Sequence, residues 1–91
     1  MNSSVLQISP NDNVHFLNSM NIYCCLAQDD YTEIGKKYLI NSCFSAIGNR
    51  LNKNQFVRIH RSWIVEIGRS VGIKDHIKLL LPENDEIVPF S

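Results

Sequence analysis

Short runs of alternating apolar and polar residues, separated by turn residues, recur along the chain and predict short β-strands. In the first half, the pattern predicts strands at residues 5–8, 14–17, 22–28, 31–34 and 38–40. In the second half, it predicts strands at residues 56–59, 63–67, 71–73, 76–81 and 86–90. Asn, Asp, Gly and Pro mark the turns between them, as at Asp29–Asp30 and Lys74–Asp75. Without a βαβ rhythm, a parallel α/β sheet is not expected.

One segment in the middle of the chain has helical spacing instead. Its apolar residues recur at three- and four-residue intervals: Ile40, Cys43, Phe44, Ile47 and Leu51. The pattern predicts one helix over Ser42–Leu51, with Asn41 or Ser42 as its N-cap. Gly48 inside this helix costs about 1 kcal/mol relative to Ala, so packing must hold it.

The chain has 91 residues, 44% hydrophobic and 20% charged, which fits one globular domain. No apolar run approaches the roughly 20 residues of a membrane span. The N-terminus lacks the basic and apolar regions of a signal peptide, so we expect a cytoplasmic protein with no membrane contact.

The chain has three cysteines, Cys24, Cys25 and Cys43, and this odd count argues against a disulfide framework. A zinc site would need a second spaced pair of Cys or His, which the sequence lacks. We expect them to be buried or half-buried reduced thiols. As neighbours in a strand, Cys24 and Cys25 should point to opposite faces of the sheet.

The formal net charge is zero, whereas nucleic-acid-binding domains usually carry a basic excess. However, no Asp or Glu lies between Ile34 and Val65, and this segment contains six basic residues: Lys36, Lys37, Arg50, Lys53, Arg58 and Arg61. This basic middle is either a phosphate-facing surface or a solvated face. Charge alone slightly favours the solvated face.

The segment 56–65, FVRIHRSWIV, concentrates side chains suited to DNA. Strand alternation predicts Phe56, Arg58 and His60 on one face. The planar fork of arginine suits phosphate or the O6/N7 edge of guanine, and Ser62 can donate to phosphate.

Each of these residues also has a purely structural interpretation, which the sequence leaves open. Arg58 could pair with Glu66 or Glu33. His60 could be a hydrogen-bonded structural histidine, and Trp63 could belong to the core.

This segment resembles the most recognisable stretch of LytTR domains, Phe-x-Arg-x-His-Arg-Ser-aromatic-aliphatic-Val-Asn. Eight positions match in register: Phe56, Arg58, His60, Arg61, Ser62, Trp63, Ile64 and Val65. Residues 22–32 resemble the family's early strand and turn, residues 38–51 its next strand and helix, and residues 88–91 its closing aliphatic-Pro-Val-Ser. The resemblance covers nearly the whole chain.

The resemblance implies a mostly β fold of elongated antiparallel sheets, built from short strands with one short central helix. It implies sequence-specific DNA binding in bacterial transcription regulation, with bases read by loops between strands. Such domains are usually output domains of response regulators in two-component systems. They commonly bind direct repeats in promoter DNA, which would bring a second copy onto the DNA, and no cofactor or metal is expected.

Carried over position by position, the resemblance puts Arg61 at a base-contacting loop position, with Asp30 and Tyr31 near a second contact loop. Arg58, His60 and Ser62 match the motif, and we expect positioning on the DNA backbone or loop support from them. Candidate DNA backbone contacts are Lys36, Lys37, Arg50 and Lys53.

The chain departs from the family pattern at three points. Glu66 replaces the usual Asn, so a negative charge is expected near any phosphate. The family's closing Ser is normally followed by a DNA-contacting Arg, so we expect this single domain of residues 1–91, which ends at Ser91, to lack the C-terminal tail. The acidic pair Asp29 and Asp30 also disfavours phosphate.

Two other functions compete with DNA binding. The departures favour a protein-interaction or inhibitory module on the same fold that has lost DNA binding and pairs with a regulator or sensor. An enzyme is not expected, although His60 and Ser62 are close in sequence and Cys25 could be a nucleophile. No orienting acid, phosphate loop or paired metal motif accompanies them.

Overall fold

A computed structural model describes residues 5–10, 13–35, 38–82 and 84–90. Within these ranges the strands are β1 Val5–Ile8, β2 His15–Asn18, β3 Cys24–Gln28, β4 Tyr31–Ile34, β5 Tyr38–Ile40, β6 Phe56–His60, β7 Trp63–Glu66, β8 Ser70–Ile73, β9 His76–Leu79 and β10 Glu86–Pro89. The α-helix is α1, Phe44–Arg50, and short 3-10 helices lie at Ser19–Asn21 and Ile67–Arg69. Every strand predicted from alternation is present, with ends that differ by at most two residues.

The strands form three antiparallel sheets, which confirms the mostly β architecture. The central sheet has five strands in the order β5-β4-β3-β7-β6, so β3 lies in its middle. β1 and β2 form a two-stranded sheet, and β8, β9 and β10 form a three-stranded sheet. The molecule extends 40 Å along its longest axis and 25 Å along its shortest.

The central sheet separates two hydrophobic cores, one on each face. On the helix face, strand residues such as Cys25 and Ile64 pack with Ile47 of α1 and Leu6 of β1. On the opposite face, the core comprises Cys24, Ile59, Val65, Leu79 and Val88. The alternation of β3 therefore divides neighbouring cysteines between two cores, as the sequence predicts.

Helix α1 is shorter than predicted, because it begins at Phe44 rather than Ser42. The N-cap is Cys43, so the prediction of Asn41 or Ser42 is wrong. The Ser42 carbonyl instead accepts a hydrogen bond of 2.8 Å from Thr32 Oγ1. This hydrogen bond ties the segment before α1 to β4, and Cys43 is still extended, with φ of -62° and ψ of 133°.

Gly48 lets α1 approach the central sheet closely. A Cβ at this position would lie 3.1 Å from Ile64 Cδ1, which is tighter than ordinary van der Waals contact. Packing against the sheet thus explains why a glycine is tolerated inside the helix.

The expectation for the cysteines is right for two of the three. Cys24 and Cys25 are buried, but Cys43 is exposed because it precedes α1 instead of lying on its packed face. Nowhere in the described ranges is there a helix with the length and apolar character needed to cross a membrane.

Candidate nucleic-acid interface

Two turns lie side by side at one end of the central sheet, which we call the loop end. The β3–β4 turn contains Asp29 and Asp30, and the β6–β7 turn contains Arg61 and Ser62. Because β3 pairs with β7, the Ala27 N–H donates to the Ser62 carbonyl at 2.8 Å. This hydrogen bond brings together two segments more than 30 residues apart in sequence.

A third segment, residues 41–43, reaches the same end. Ile40 of β5 pairs with Thr32 of β4, and the Thr32–Ser42 hydrogen bond holds the chain that follows. A depression between this segment and the β3–β4 turn is lined by Asp29, Asp30, Tyr31, Asn41, Ser42, Cys43, Phe44 and Ser45. The loop end is therefore a composite surface built from the β3–β4 turn, the β6–β7 turn and the segment before α1.

Arg61 lies at the exposed tip of the β6–β7 turn. Among the described residues, its guanidinium group has no hydrogen bond or ion pair, whereas the backbone around it is held from several sides. Ala27 holds the Ser62 carbonyl, and Arg58 Nη2 donates to the Arg61 carbonyl at 2.7 Å. An exposed cationic fork on a fixed backbone is suited to a charge-assisted contact.

The Arg58 side chain faces the protein, not an acidic partner. It bonds to the β6–β7 turn, and its guanidinium lies 4.9 Å from the centre of the Phe44 ring. The predicted alternatives, pairing with Glu66 or Glu33, are both wrong. Glu66 pairs with Arg69, and strands β3 and β7 separate Glu33 in β4 from Arg58 in β6.

His60 supports the same turn. Its Nδ1 accepts a hydrogen bond of 3.1 Å from the Ser62 N–H, which requires this ring nitrogen to be unprotonated. The register of β6 and β7 shifts between Arg58 and His60, so His60 lies opposite Trp63 and not on the face of Arg58. The predicted common face of Phe56, Arg58 and His60 is therefore wrong at His60, because a bulge interrupts the alternation.

Trp63 is half-buried and packs against the core on the face opposite α1, as its structural interpretation predicts. Tyr31 and Asp30, the candidates of the second loop, are exposed beside the β6–β7 turn. Asp29 has a positive φ of 52°, a turn conformation that Asp tolerates better than most residues.

The remaining basic candidates are not brought together with Arg61. Lys53 is exposed in the turn before β6, at the end of that strand opposite His60. Arg50, in the last turn of α1, donates a hydrogen bond from Nη2 to the carbonyl of Gln7 in β1. Lys36 and Lys37 lie outside the described residues, as does Ser91.

Glu66 does not present its charge to the loop end. The residue is 8% exposed, and its carboxylate accepts from Gln55 Nε2 at 2.8 Å and from Arg69 Nη1 at 3.1 Å. It also lies at the end of β7 away from Arg61. The Glu66 carboxylate is therefore shielded by burial and paired with Arg69, and it does not place its charge at the loop end.

The thiols have opposite electrostatic environments. Burial, and then the neighbouring Cys24, raises the pKa of the Cys25 thiol to about 12, which makes it a poor nucleophile. The backbone N–H groups of Ala46 and Ser45 lower the pKa of the exposed Cys43 thiol. The Cys43 side chain nevertheless makes no capping hydrogen bond to α1. Among the described residues, no group of three His, Cys, Asp or Glu could hold a metal ion.

Two supports of this site carry no signal in the sequence, namely the Ala27 amide and the Phe44 ring. Ala27 acts through its backbone, and any residue except proline would supply that N–H. Phe44 was assigned to the helix pattern, and its contact with Arg58 depends on where α1 lies over the sheet.

The sequence profile of the LytTr DNA-binding domain family matches residues 12–91. The chain belongs to this family. A solved structure with the same fold is the LytTr DNA-binding domain of a protein described as a methyl-accepting/DNA response regulator from Bacillus cereus. The TM-score is 0.74 at 22% identity, and the alignment covers 99% of this chain and 88% of that one. No curated protein sequence gave a significant match.

Membership in the LytTr family makes this a domain of a DNA-binding family. The loop end presents an exposed arginine on a turn whose backbone is hydrogen-bonded. It is therefore the candidate nucleic-acid interface of this domain.

Proposed function

We propose that this LytTr domain binds double-stranded DNA sequence-specifically and reads bases with the β6–β7 turn. The observation that carries the proposal is the exposed guanidinium of Arg61 at the tip of a turn with a hydrogen-bonded backbone. A bidentate arginine–guanine contact needs such a fork aimed into the major groove.

The other candidates differ in the kind of DNA contact that we propose for them. Ser62, Tyr31 and Asp30 lie in or next to the two turns of the loop end, and we propose that they contact the same stretch of DNA as Arg61. Lys53, Lys36, Lys37 and Arg50 would make weaker, sequence-independent contacts with phosphates. His60 contributes by holding the Ser62 amide.

The domain would act in the cytoplasm as the output part of a two-component response regulator and control transcription. Two copies would bind paired direct repeats in a promoter, each copy using its own Arg61. Residues 1–91 form a single domain in this proposal.

The direct test is selection from a random duplex pool by the 91-residue chain at two salt concentrations, followed by sequencing of the retained DNA. We expect enrichment of a repeated motif and a steep loss of affinity as salt rises. The Arg61→Ala variant should retain less DNA and enrich a more degenerate motif. Absence of retention by the parent chain at low salt would refute DNA binding by this chain.

A protein-interaction or inhibitory module on the same fold is the second candidate, and the acidic β3–β4 turn favours it. Asp29 and Asp30 are exposed next to Arg61 and would repel phosphate. This function predicts a stable complex with a purified full-length regulator of the same family and no DNA retention. Retention of DNA by the chain without such a complex would exclude it.

A further inference from the structure

Arg58 connects two elements that are separate in the chain, helix α1 and the β6–β7 turn. Nη2 donates to the Arg61 carbonyl at 2.7 Å, and Nε lies 3.4 Å from the His60 carbonyl. On its other side, the guanidinium covers the Phe44 ring at 4.9 Å, and Nη1 lies 3.4 Å from Ser45 Oγ. One side chain thus contacts both the turn and the first residues of the helix.

The short hydrogen bond to the Arg61 carbonyl is the strongest of these contacts, because 3.4 Å is long for an N–H donor. A planar guanidinium can lie over an aromatic ring while the N–H groups at its edge donate within the guanidinium plane. A lysine ammonium is a point charge and cannot make both contacts with the same geometry. The arrangement therefore depends on arginine itself and not only on a positive charge.

The carbonyl that Arg58 holds belongs to Arg61, the residue at the tip of the turn. The Ser62 amide and carbonyl are held by His60 and Ala27, so Arg58 supplies the contact on the side of α1. Without it, the Arg61 carbonyl would lose its described hydrogen bond and the tip would sample more orientations.

We propose that Arg58 is a positioning residue that couples α1 to the β6–β7 turn, and that it fixes the direction of Arg61 without contacting DNA. This inference rests on the proposed function. A contact between Arg58 and a phosphate would require its guanidinium to leave the Arg61 carbonyl and the Phe44 ring.

The test compares Arg58→Lys and Arg58→Gln in DNA binding over a range of salt concentrations. For a positioning residue, both variants lose about tenfold in affinity for the selected site, and the slope of log K against log salt stays unchanged. A phosphate contact gives the opposite result, because lysine restores affinity and glutamine lowers the slope by about 0.9. That opposite result would overturn the inference.

A second measurement does not depend on DNA. Amide hydrogen exchange of the free domain should accelerate at Ser62 and Ala27 in both Arg58 variants, with β8 and β9 amides as internal controls. Unchanged exchange at these two amides would overturn the inference even if the chain never binds DNA. If the parent chain fails to bind DNA but exchange is faster in the variants, the proposed function is refuted. The coupling of α1 to the β6–β7 turn by Arg58 still holds in that case.

Phe44→Leu provides a variant without any change of charge. It keeps an apolar side chain at the start of α1 and removes the ring beneath the guanidinium. We expect the same kind of loss in affinity, a few-fold in size, with an unchanged salt slope. Circular dichroism and thermal unfolding identify any variant that fails to fold. The variants that do fold then decide whether Arg58 positions Arg61 or contacts DNA.

Discussion

The two turns of the loop end differ in charge and in how their backbones are held. The β6–β7 turn presents a cation and is held by side chains from its own strand and a backbone amide from β3. The β3–β4 turn presents two carboxylates, and its Asp29 adopts a positive φ. Within the described residues, no side-chain hydrogen bond holds Asp29 or Asp30. The β6–β7 turn therefore offers a cation on a held backbone, whereas the β3–β4 turn offers negative charge, which repels anions such as phosphate.

The largest expected effect is the difference in thiol reactivity between Cys43 at the loop end and Cys25 inside the sheet. Cys43 should react with iodoacetamide at neutral pH, and its lowered pKa should shift the rate profile to lower pH than that of an ordinary thiol. Cys25, with a pKa of about 12 instead of 9.0, should carry roughly a thousandfold less thiolate than an ordinary thiol and react only on unfolding. Peptide mass spectrometry of the alkylated chain measures both.

The same labelling shows which turn the DNA covers, because Cys43 lines the depression beside Asp29 and Asp30. Slower alkylation of Cys43 in the presence of a selected duplex would mean that DNA reaches the acidic turn. An unchanged rate would confine the contact to the side of Arg61.

Next in size is Arg61→Ala, which removes the cation from the held turn. If Arg61 reads a guanine, the change should cost about 1–3 kcal/mol in DNA binding and relax preference at one base position. Lys53→Ala is the matched control at the other end of β6 and should weaken binding to all sequences alike. Unchanged affinity and unchanged preference for Arg61→Ala would remove the main distinction between the two turns.

Neutralising the acidic turn should have a smaller effect of opposite sign. Asp30→Asn removes one negative charge next to Arg61 and should raise DNA affinity about two- to fivefold at low salt, with little change at high salt. Asp75→Asn makes the same charge change in the β8–β9 turn and should have no effect. Weaker DNA binding by Asp30→Asn would show that this carboxylate accepts a hydrogen bond from a base.

The smallest expected effect concerns backbone conformation. Asp29→Gly relieves the positive φ but adds freedom to the unfolded chain, so the free energy of unfolding should rise by only about 0.5 kcal/mol. Lys74→Gly relieves a φ of 50° in the β8–β9 turn and should stabilise by a similar amount without affecting DNA. Destabilisation by Asp29→Gly in urea unfolding would show that the carboxylate itself supports the turn.

Much of the fold was predictable because its determinants are local. Alternation and turn residues gave all described strands, and three of them, β1, β4 and β5, have the predicted limits. The split of Cys24 and Cys25 between two faces also follows from strand geometry alone. The start of the helix was not predictable from the sequence, since serine is a typical N-cap residue. Only the tertiary hydrogen bond from Thr32 to the Ser42 carbonyl distinguishes Ser42 from a cap.

The candidate site was predictable in part. The motif and the family resemblance singled out Arg58, His60 and Arg61. They did not show that the Arg61 side chain is exposed while the Arg58 side chain holds the turn. That difference depends on the Phe44 ring and on the turn carbonyls. The ion pair of Glu66 was likewise not predictable, because the 3-10 helix at Ile67–Arg69 brings its partner Arg69 to it.

The sequence by itself determined which segments are strands, where the turns fall and which residue types occupy them, because these properties depend on neighbours a few positions apart. Only the tertiary structure decided that β3 pairs with β7, that a bulge follows Arg58, and that α1 packs above Ile64 at Gly48. Each of these depends on contacts between segments well separated in the chain, whose register is fixed by packing of both cores together. The held Arg61 turn is a product of that packing.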